Sequence, residues 1–264
     1  MQGIRTMKSG LSGKKVIITG ASRGLGSVCA MALAAHGASL VLMARTEKKL
    51  EEVRMSCQNP EKHLTIGVDL TNTEQLRKAI GRATEFLGEI DVVLHVAGGG
   101  LGLREPLLSS GDLIKLFTLN VAVAAEINRI VLPGMIKRKS GNLVHVASIA
   151  SGEATASVGY NTAKAALAAY VKSLGREIAG YGVVATGILP GGFYAPENSW
   201  ERLKAQKPKV VENFIKERLP RGFLGRAEEL IPMILLLCSD AASMMGGCLV
   251  PIDAGEGKAY TVND

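Results

Sequence analysis

"TGASRGLG", Thr19–Gly26, follows at once on the apolar run Val16-Ile17-Ile18 and opens a stretch of helical character over about 24–36. A chain that places three glycines between a buried strand and a helix needs unusual backbone there. Gly20 suits a tight turn, Gly24 lets backbone approach a ligand closely, and Gly26 lets the new helix lie against the strand. The helix start then presents unpaired N–H groups and the positive end of its dipole, which together suit a phosphate. A plain strand-to-helix corner is the alternative, because a glycine pattern alone is weak evidence. The spacing here is TGxxxGxG rather than GxGxxG.

Working outward, short β-branched runs alternate with longer helical patterns. Strands are expected at Lys15–Thr19, Ser39–Ala44, Leu64–Val68, Asp91–Val96, Leu143–Ala147, Val183–Leu189 and Cys248–Ile252. Helices are expected near 24–36, 46–57, 73–87, 110–138, 158–180 and 226–238. This βαβ rhythm predicts an α/β fold: one doubly wound domain over residues 1–264, a seven-stranded parallel sheet with helices on both faces. Residues 1–12 read as a loose tail. Residues 190–225 break the rhythm with Pro190, Pro196, Pro208 and Pro220 and a helix expected over Trp200–Leu219. An insertion after a strand's C-terminal end in such a fold often covers the ligand crevice, so this segment is expected to be a substrate lid.

Composition narrows the function. The chain has 264 residues, 47% of them hydrophobic, with a net charge of +7 and only five Tyr, five Phe and one Trp. Positive charge suits anionic small molecules or an acidic carrier, whereas no interleaved basic–aromatic surface for nucleic acid is visible. No run of 18 or more apolar residues predicts a membrane span, and the start lacks a secretory signal, so a cytoplasmic protein is expected. Cys29, Cys57, Cys238 and Cys248 form no CxxC pair, and the four histidines have no zinc-ligand spacing, so no metal is expected.

The chemistry lies in "YNTAK", where Tyr160 and Lys164 stand four residues apart, on one helix face. A nearby ammonium favours the phenolate, which would tune Tyr160 as a general acid or base. Twelve residues upstream, Ser148 ends a β-branched strand, where its hydroxyl could bond a carbonyl oxygen. Asn120 interrupts an apolar helical stretch and, if buried, needs partners. In this order and spacing, TGxxxGxG, Asn, Ser and YxxxK resemble the short-chain dehydrogenase/reductase family, from about Gly13 to Gly255. The resemblance implies a Rossmann-like fold and a hydride-transferring oxidoreductase. It implies that Tyr160 exchanges the proton, Lys164 lowers the Tyr160 pKa and binds the nicotinamide ribose, Ser148 polarises the carbonyl, and Asn120 supports a water relay. It places the cofactor along Gly20, Ser22, Arg23, Gly24, Leu25, Gly26, Arg45, Asp69, Leu70, Ala97, Gly98, Tyr160, Lys164, Pro190 and Gly191.

Three departures stand out. The family's Asn-Asn-Ala-Gly reads His95-Val96-Ala97-Gly98, so a tie between strands is weaker or is made by His95. Ala195 replaces the threonine often found after Pro-Gly. Ser148 to Tyr160 is one residue shorter than in many members, in the loop that shapes the substrate mouth. The second strand ends Leu42-Met43-Ala44-Arg45 with no acid to bind ribose hydroxyls and repel a 2′-phosphate. Arg45 and Arg23 can instead share that phosphate, which points to NADP(H) and to carbonyl reduction.

The substrate is less defined. Phe193, Tyr194 and Trp200 could wall an apolar pocket. Eight Lys/Arg against three Glu between Trp200 and Arg226 suit an acidic or carrier-bound carbonyl compound. The likeness is greatest to 3-oxoacyl-thioester reductases. A sugar or nucleotide-sugar oxidoreductase of surface-polysaccharide synthesis is the alternative, and a non-catalytic NADP(H)-binding scaffold or sensor the remote one. Ala-, Leu- and Val-rich helices near 110–138 and 158–180 suit subunit packing, and the resemblance implies a homotetramer.

Overall fold

A computed structural model describes residues 10–259. Seven strands form one parallel sheet: β1 (Lys15–Thr19), β2 (Ser39–Ala44), β3 (His63–Gly67), β4 (Val92–His95), β5 (Gly141–Val146), β6 (Val183–Pro190) and β9 (Leu249–Ile252). A separate two-stranded ribbon joins β7 (Phe193–Tyr194) to β8 (Gly225–Arg226), which the periodicity did not reveal. The strand order is β3-β2-β1-β4-β5-β6-β9. The chain thus builds outward from β1, then crosses back to the other side of it. The crevice between the C-terminal ends of β1 and β4 is where such a fold receives ligands.

Strand pleating splits the core into two. Val16, Ile18, Leu40, Leu42, Val92 and Leu94 face one side and pack with α1 (Gly24–Ala35), α2 (Glu47–Ser56) and α9 (Ile231–Leu237). Ile17, Val41, Met43 and Val93 face the other, against α3 (Thr73–Leu87), α5 (Val123–Arg138) and α6 (Val158–Ile178). Near-continuous apolar strands are what burial on both faces demands.

Several expectations need correction. The first nine residues of the expected tail lie outside the described residues. At its other end, Leu11 is completely buried in the core, so the chain is anchored before β1 begins. The helix expected over Trp200–Leu219 is two helices, α7 (Ser199–Gln206) and α8 (Pro208–Arg218). Pro208 explains the break: it removes a donor and pushes Lys207 out of helical geometry. α7 and α8 fold into a hairpin over their own small core, with the Trp200 and Phe214 rings tilted against each other, their centres 4.3 Å apart.

The helix expected near 110–138 is α4 (Ser110–Phe117) running into α5 through one wide π turn, Thr118–Ala122. Together Ser110–Arg138 spans 29 residues with a mean hydropathy of 1.3 in its most apolar window, long and apolar enough to cross a membrane. Counting uninterrupted apolar residues misses such a helix, because scattered polar residues break the run without lowering the average. Its apolar side is used within the fold: Val123, Ile127, Val131 and Met135 are buried against the sheet, and Glu126 pairs with Arg77 and Arg129.

Candidate active site

The glycine turn is built as the sequence suggests. Gly20 has φ +70 and Gly24 φ +62, both in the region that favours glycine. A Cβ on Gly20 would lie 2.8 Å from the Ala97 nitrogen, and one on Gly26 only 2.2 Å from the Gly20 carbonyl oxygen. Bare backbone at Gly20 lets the loop after β4 close on the turn, and at Gly26 it lets α1 lie against that turn. The N-cap residue Arg23 gives α1 no side-chain cap, and no acidic residue lies in its first turn. That helix end keeps its appetite for an anion.

This packing makes a prediction with an internal control. Gly26→Ala should cost about 1–3 kcal/mol, because the clash is with rigid backbone. Gly81→Ala, on the open face of α3 with nothing near its Cβ, should gain about 0.5–1 kcal/mol through helix propensity. Paired thermal melts check both signs, and a Gly26→Ala protein as stable as wild type would contradict the packing argument.

On the other wall of the crevice, Thr19 Oγ1 accepts the Val96 and Ala97 N–H groups, each at 3.2 Å. Asn120 lies within the π turn and is buried. Its amide donates to the Gly99 and Leu116 carbonyls at 3.0 and 2.9 Å, while its carbonyl oxygen accepts the Gly99 N–H at 3.0 Å. Asn120 therefore clamps the 97–100 loop from both sides. A Cβ on Gly98 would sit 2.8 Å from Asn120 Oδ1 and 3.3 Å from Lys164 Nζ, so Gly98 is the bare spot between them.

Ser148 follows β5 and caps the 3₁₀ turn Ile149–Ser151, accepting the Ala150 N–H at 3.2 Å. Tyr160 and Lys164 both lie in α6, with Lys164 Nζ 5.7 Å from the Tyr160 ring centre. Lys164 is buried, donates to the Val146 carbonyl at 2.8 Å, and is pushed down to about 8 by desolvation.

For Tyr160 the sequence argument gives the wrong direction in this structure. Burial raises the phenol above its usual value, and the hydrogen bond with Ser148 pulls only partly the other way. The Lys164 ammonium is turned to a carbonyl and does not offset the desolvation. A protonated phenol at neutral pH is the form a proton donor needs.

The remaining cofactor candidates frame the same crevice. Ser22 is half-buried, Leu25 buried, and Arg23 exposed at the start of α1. Arg45 is exposed at the end of β2. Asp69, one strand further out, accepts from the Thr71 hydroxyl at 2.7 Å and the Thr71 N–H at 3.0 Å. These bonds lower its pKa, with a smaller contribution from the Arg45 charge. Leu70 beside it is buried. At the end of β6, Pro190 is buried and Gly191 half-buried.

Two contacts escaped sequence reading, as did the partners of the tie expected of His95. The Gly192 N–H donates at 2.6 Å to the carboxylate of Glu256, which is buried and raised in pKa by desolvation. The Pro196 carbonyl accepts the Gly24 N–H at 2.8 Å. The missing family asparagine is replaced by a four-residue network: His95 bonds Asn128 at 2.8 Å, and Asn128 bonds His145 at 3.2 Å and Tyr170 at 3.1 Å. The tie between β4 and β5 thus passes through Asn128 of α5.

The comparisons with known proteins agree with this geometry. A family model described as short chain dehydrogenase matches residues 14–206. Ketoacyl reductase HetN of Nostoc sp. is 35% identical over 184 residues, 69% of this chain and 64% of that protein, so the chain spans under two thirds of this relative. The 3-oxoacyl-[acyl-carrier-protein] reductase FabG of Aquifex aeolicus is 28% identical over 94% of this chain and 99% of its own. Among solved structures, L-sorbose reductase from Gluconobacter frateurii, complexed with NADPH and L-sorbose, superposes with a TM-score of 0.87 at 27% identity over 96% of this chain and 100% of that one. The chain belongs to the short-chain dehydrogenase/reductase family, whose members are oxidoreductases that use nicotinamide cofactors.

Proposed function

We propose that the protein reduces a carbonyl to an alcohol with NADPH, Tyr160 serving as the general acid. The observation that carries this is the convergence of Ser148, Tyr160 and Lys164 beside the bare Gly98 backbone, at the mouth of a glycine-lined crevice. The crevice fits a dinucleotide: Gly20 and Gly26 leave no room for side chains, and α1 starts without a side-chain cap. Gly20–Gly26 would hold the pyrophosphate, Asp69 and Leu70 the adenine, and Ala97, Gly98, Pro190 and Gly191 the nicotinamide side. The cofactor, when bound, supplies the hydride.

The residues of the chain do the rest. The Ser148 hydroxyl donates to the substrate oxygen and orients it. Tyr160 delivers its proton to that oxygen as negative charge develops there. Lys164, with a pKa near 8, holds a charge it can share with the ribose and with the tyrosinate left behind. Asn120 keeps the 97–100 loop in place and supports the water path to Lys164. NADP(H) over NAD(H) is supported by Arg45 where a ribose-binding acid would stand, with Arg23 nearby in the glycine turn.

The substrate reading is a 3-oxoacyl thioester, supported by the likeness to ketoacyl and 3-oxoacyl reductases and by the basic α7–α8 hairpin, which would act as the lid. A sugar carbonyl is the second reading, favoured by the likeness to L-sorbose reductase over the whole chain. A homotetramer is supported by exposed Leu113, Ile114 and Phe117 on α4 and Val158 at the start of α6, an apolar set that a subunit contact would cover. A cytoplasmic location belongs to the same reading. The test is NADPH consumption with an acetoacetyl thioester, beside NADH and beside a sugar panel. Thioester-dependent oxidation of NADPH supports the first reading. Turnover with sugars alone moves the assignment to the second.

A further inference from the structure

The residue after Pro196 has an unfavourable backbone conformation. Glu197 has φ +54, a left-handed conformation that a glutamate rarely adopts. Its carboxylate pairs with Lys49 in the first turn of α2. Hydrogen bonding to Lys49, with smaller contributions from the charges of Arg23 and Arg202, holds it below the usual carboxylate range. Lys49 follows Arg45 in sequence, across the N-cap Thr46 and into the first turn of α2. The Glu197 carboxylate of the lid segment is therefore held by Lys49 with Arg23 and Arg202 acting on it as well, in the stretch that directly follows Arg45 and the end of β2. The neighbouring Pro196 carbonyl meanwhile occupies the Gly24 N–H at the start of α1. Two adjacent residues thus make the two contacts that a 2′-phosphorylated dinucleotide also seeks: an oxygen on the helix N-terminus and a negative charge beside the cations.

We propose that Lys49 is a third cation of the 2′-phosphate site and that Glu197 is its built-in competitor, so that this pair sets the preference between phosphorylated and unphosphorylated dinucleotides. The inference rests on the NADP(H) reading above. Its logic is exchange of partners. While Lys49 is paired with Glu197, a 2′-phosphate must displace a carboxylate before gaining that contact. A dinucleotide without the phosphate gains nothing from Lys49 in either state. The Glu197 backbone conformation is unfavourable alone and is offset by the ion pair and by Arg202, which donates to the Glu197 carbonyl. Displacing the carboxylate removes the ion pair's share of that compensation and so favours movement of the lid segment away from the cations and the Gly24 amide.

The test is calorimetric titration of the wild type, Glu197→Gln and Lys49→Met with 2′,5′-ADP and with 5′-AMP, neither of which turns over. Removing the competitor should tighten 2′,5′-ADP by about three- to fivefold, the scale of an exposed ion pair. Lys49→Met should weaken 2′,5′-ADP by about fivefold and leave 5′-AMP within about twofold. Unchanged affinity in both variants would overturn the proposal while leaving the NADP(H) reading intact, as would equal gains for both nucleotides in Glu197→Gln. A wild type that binds 5′-AMP as tightly as 2′,5′-ADP would overturn the NADP(H) reading itself, and this proposal with it.

Discussion

Tyr160→Phe should lower turnover by about a thousandfold, the scale of a lost general acid, while nucleotide affinity stays within about twofold of wild type. The ring packs against Gly100, where a Cβ would sit 3.7 Å from Tyr160 Cδ2, and phenylalanine keeps that contact. Only the phenolic oxygen is removed, and with it the proton that the phenol carries at neutral pH. Single-turnover kinetics with saturating NADPH, alongside fluorescence titration of the cofactor, separate the two quantities. A variant retaining more than about a tenth of wild-type turnover would show that the proton comes from elsewhere, because general acid catalysis is worth at least about a hundredfold. If wild type and variant both bind NADPH and neither oxidises it with any carbonyl, the scaffold or sensor reading takes over.

The parts of the molecule that were legible in the sequence share a property: the residue type itself constrains local backbone or burial. TGASRGLG could be read because positive φ and close approach are tied to glycine. The sheet could be read because strands buried on both faces must be apolar at every position, as Val16, Ile17 and Ile18 are. Tyr160 and Lys164 could be paired because helical spacing fixes their distance. Long-range consequences were not legible. Nothing local says that Pro196 will reach Gly24, that Glu197 will find Lys49, or that Glu256 will accept from Gly192. The Tyr160 pKa failed for a related reason. Charge at i+4 is visible in the sequence, but the degree of burial that outweighs it depends on how the 97–100 loop and β5 close around the ring. The break at Lys207 was legible in principle, since Pro208 announces it, and was hidden by the amphipathic pattern that continues across it.

Stability should fall steeply between pH 6.5 and pH 4 through a pair of buried histidines. Asn128 donates to His145 Nε2 and to the Tyr170 hydroxyl, so its Oδ1 is the acceptor for a proton on His95 Nε2. His145 Nδ1 donates to the Thr186 carbonyl at 3.0 Å. Both rings are thereby neutral, stacked with centres 4.6 Å apart, and His95 Nδ1 has no partner. Protonating either ring would bury a charge beside the other and near Lys164, with no acceptor for the new N–H. Accordingly burial drives His95 well below its ordinary value and His145 down to about 4. Between that value and the ordinary 6.5 the unfolded chain binds protons that the folded chain refuses. The stabilisation is therefore complete above pH 6.5 and is lost as pH falls. For His145 alone the loss is about 2 kcal/mol at pH 5 and about 3 kcal/mol near pH 4, and His95 adds in the same direction. Glu126, lowered to about 2 by its arginines, loses its contribution only below pH 4.5. Glu256, raised by burial, acts in the opposite sense. Urea unfolding at pH 7.5 and 5.0 measures the difference. His95→Asn, which restores the residue type the family carries there, should lessen the slope and leave the part due to His145. Equal stability of the wild type at the two pH values would show that the histidines are not held neutral.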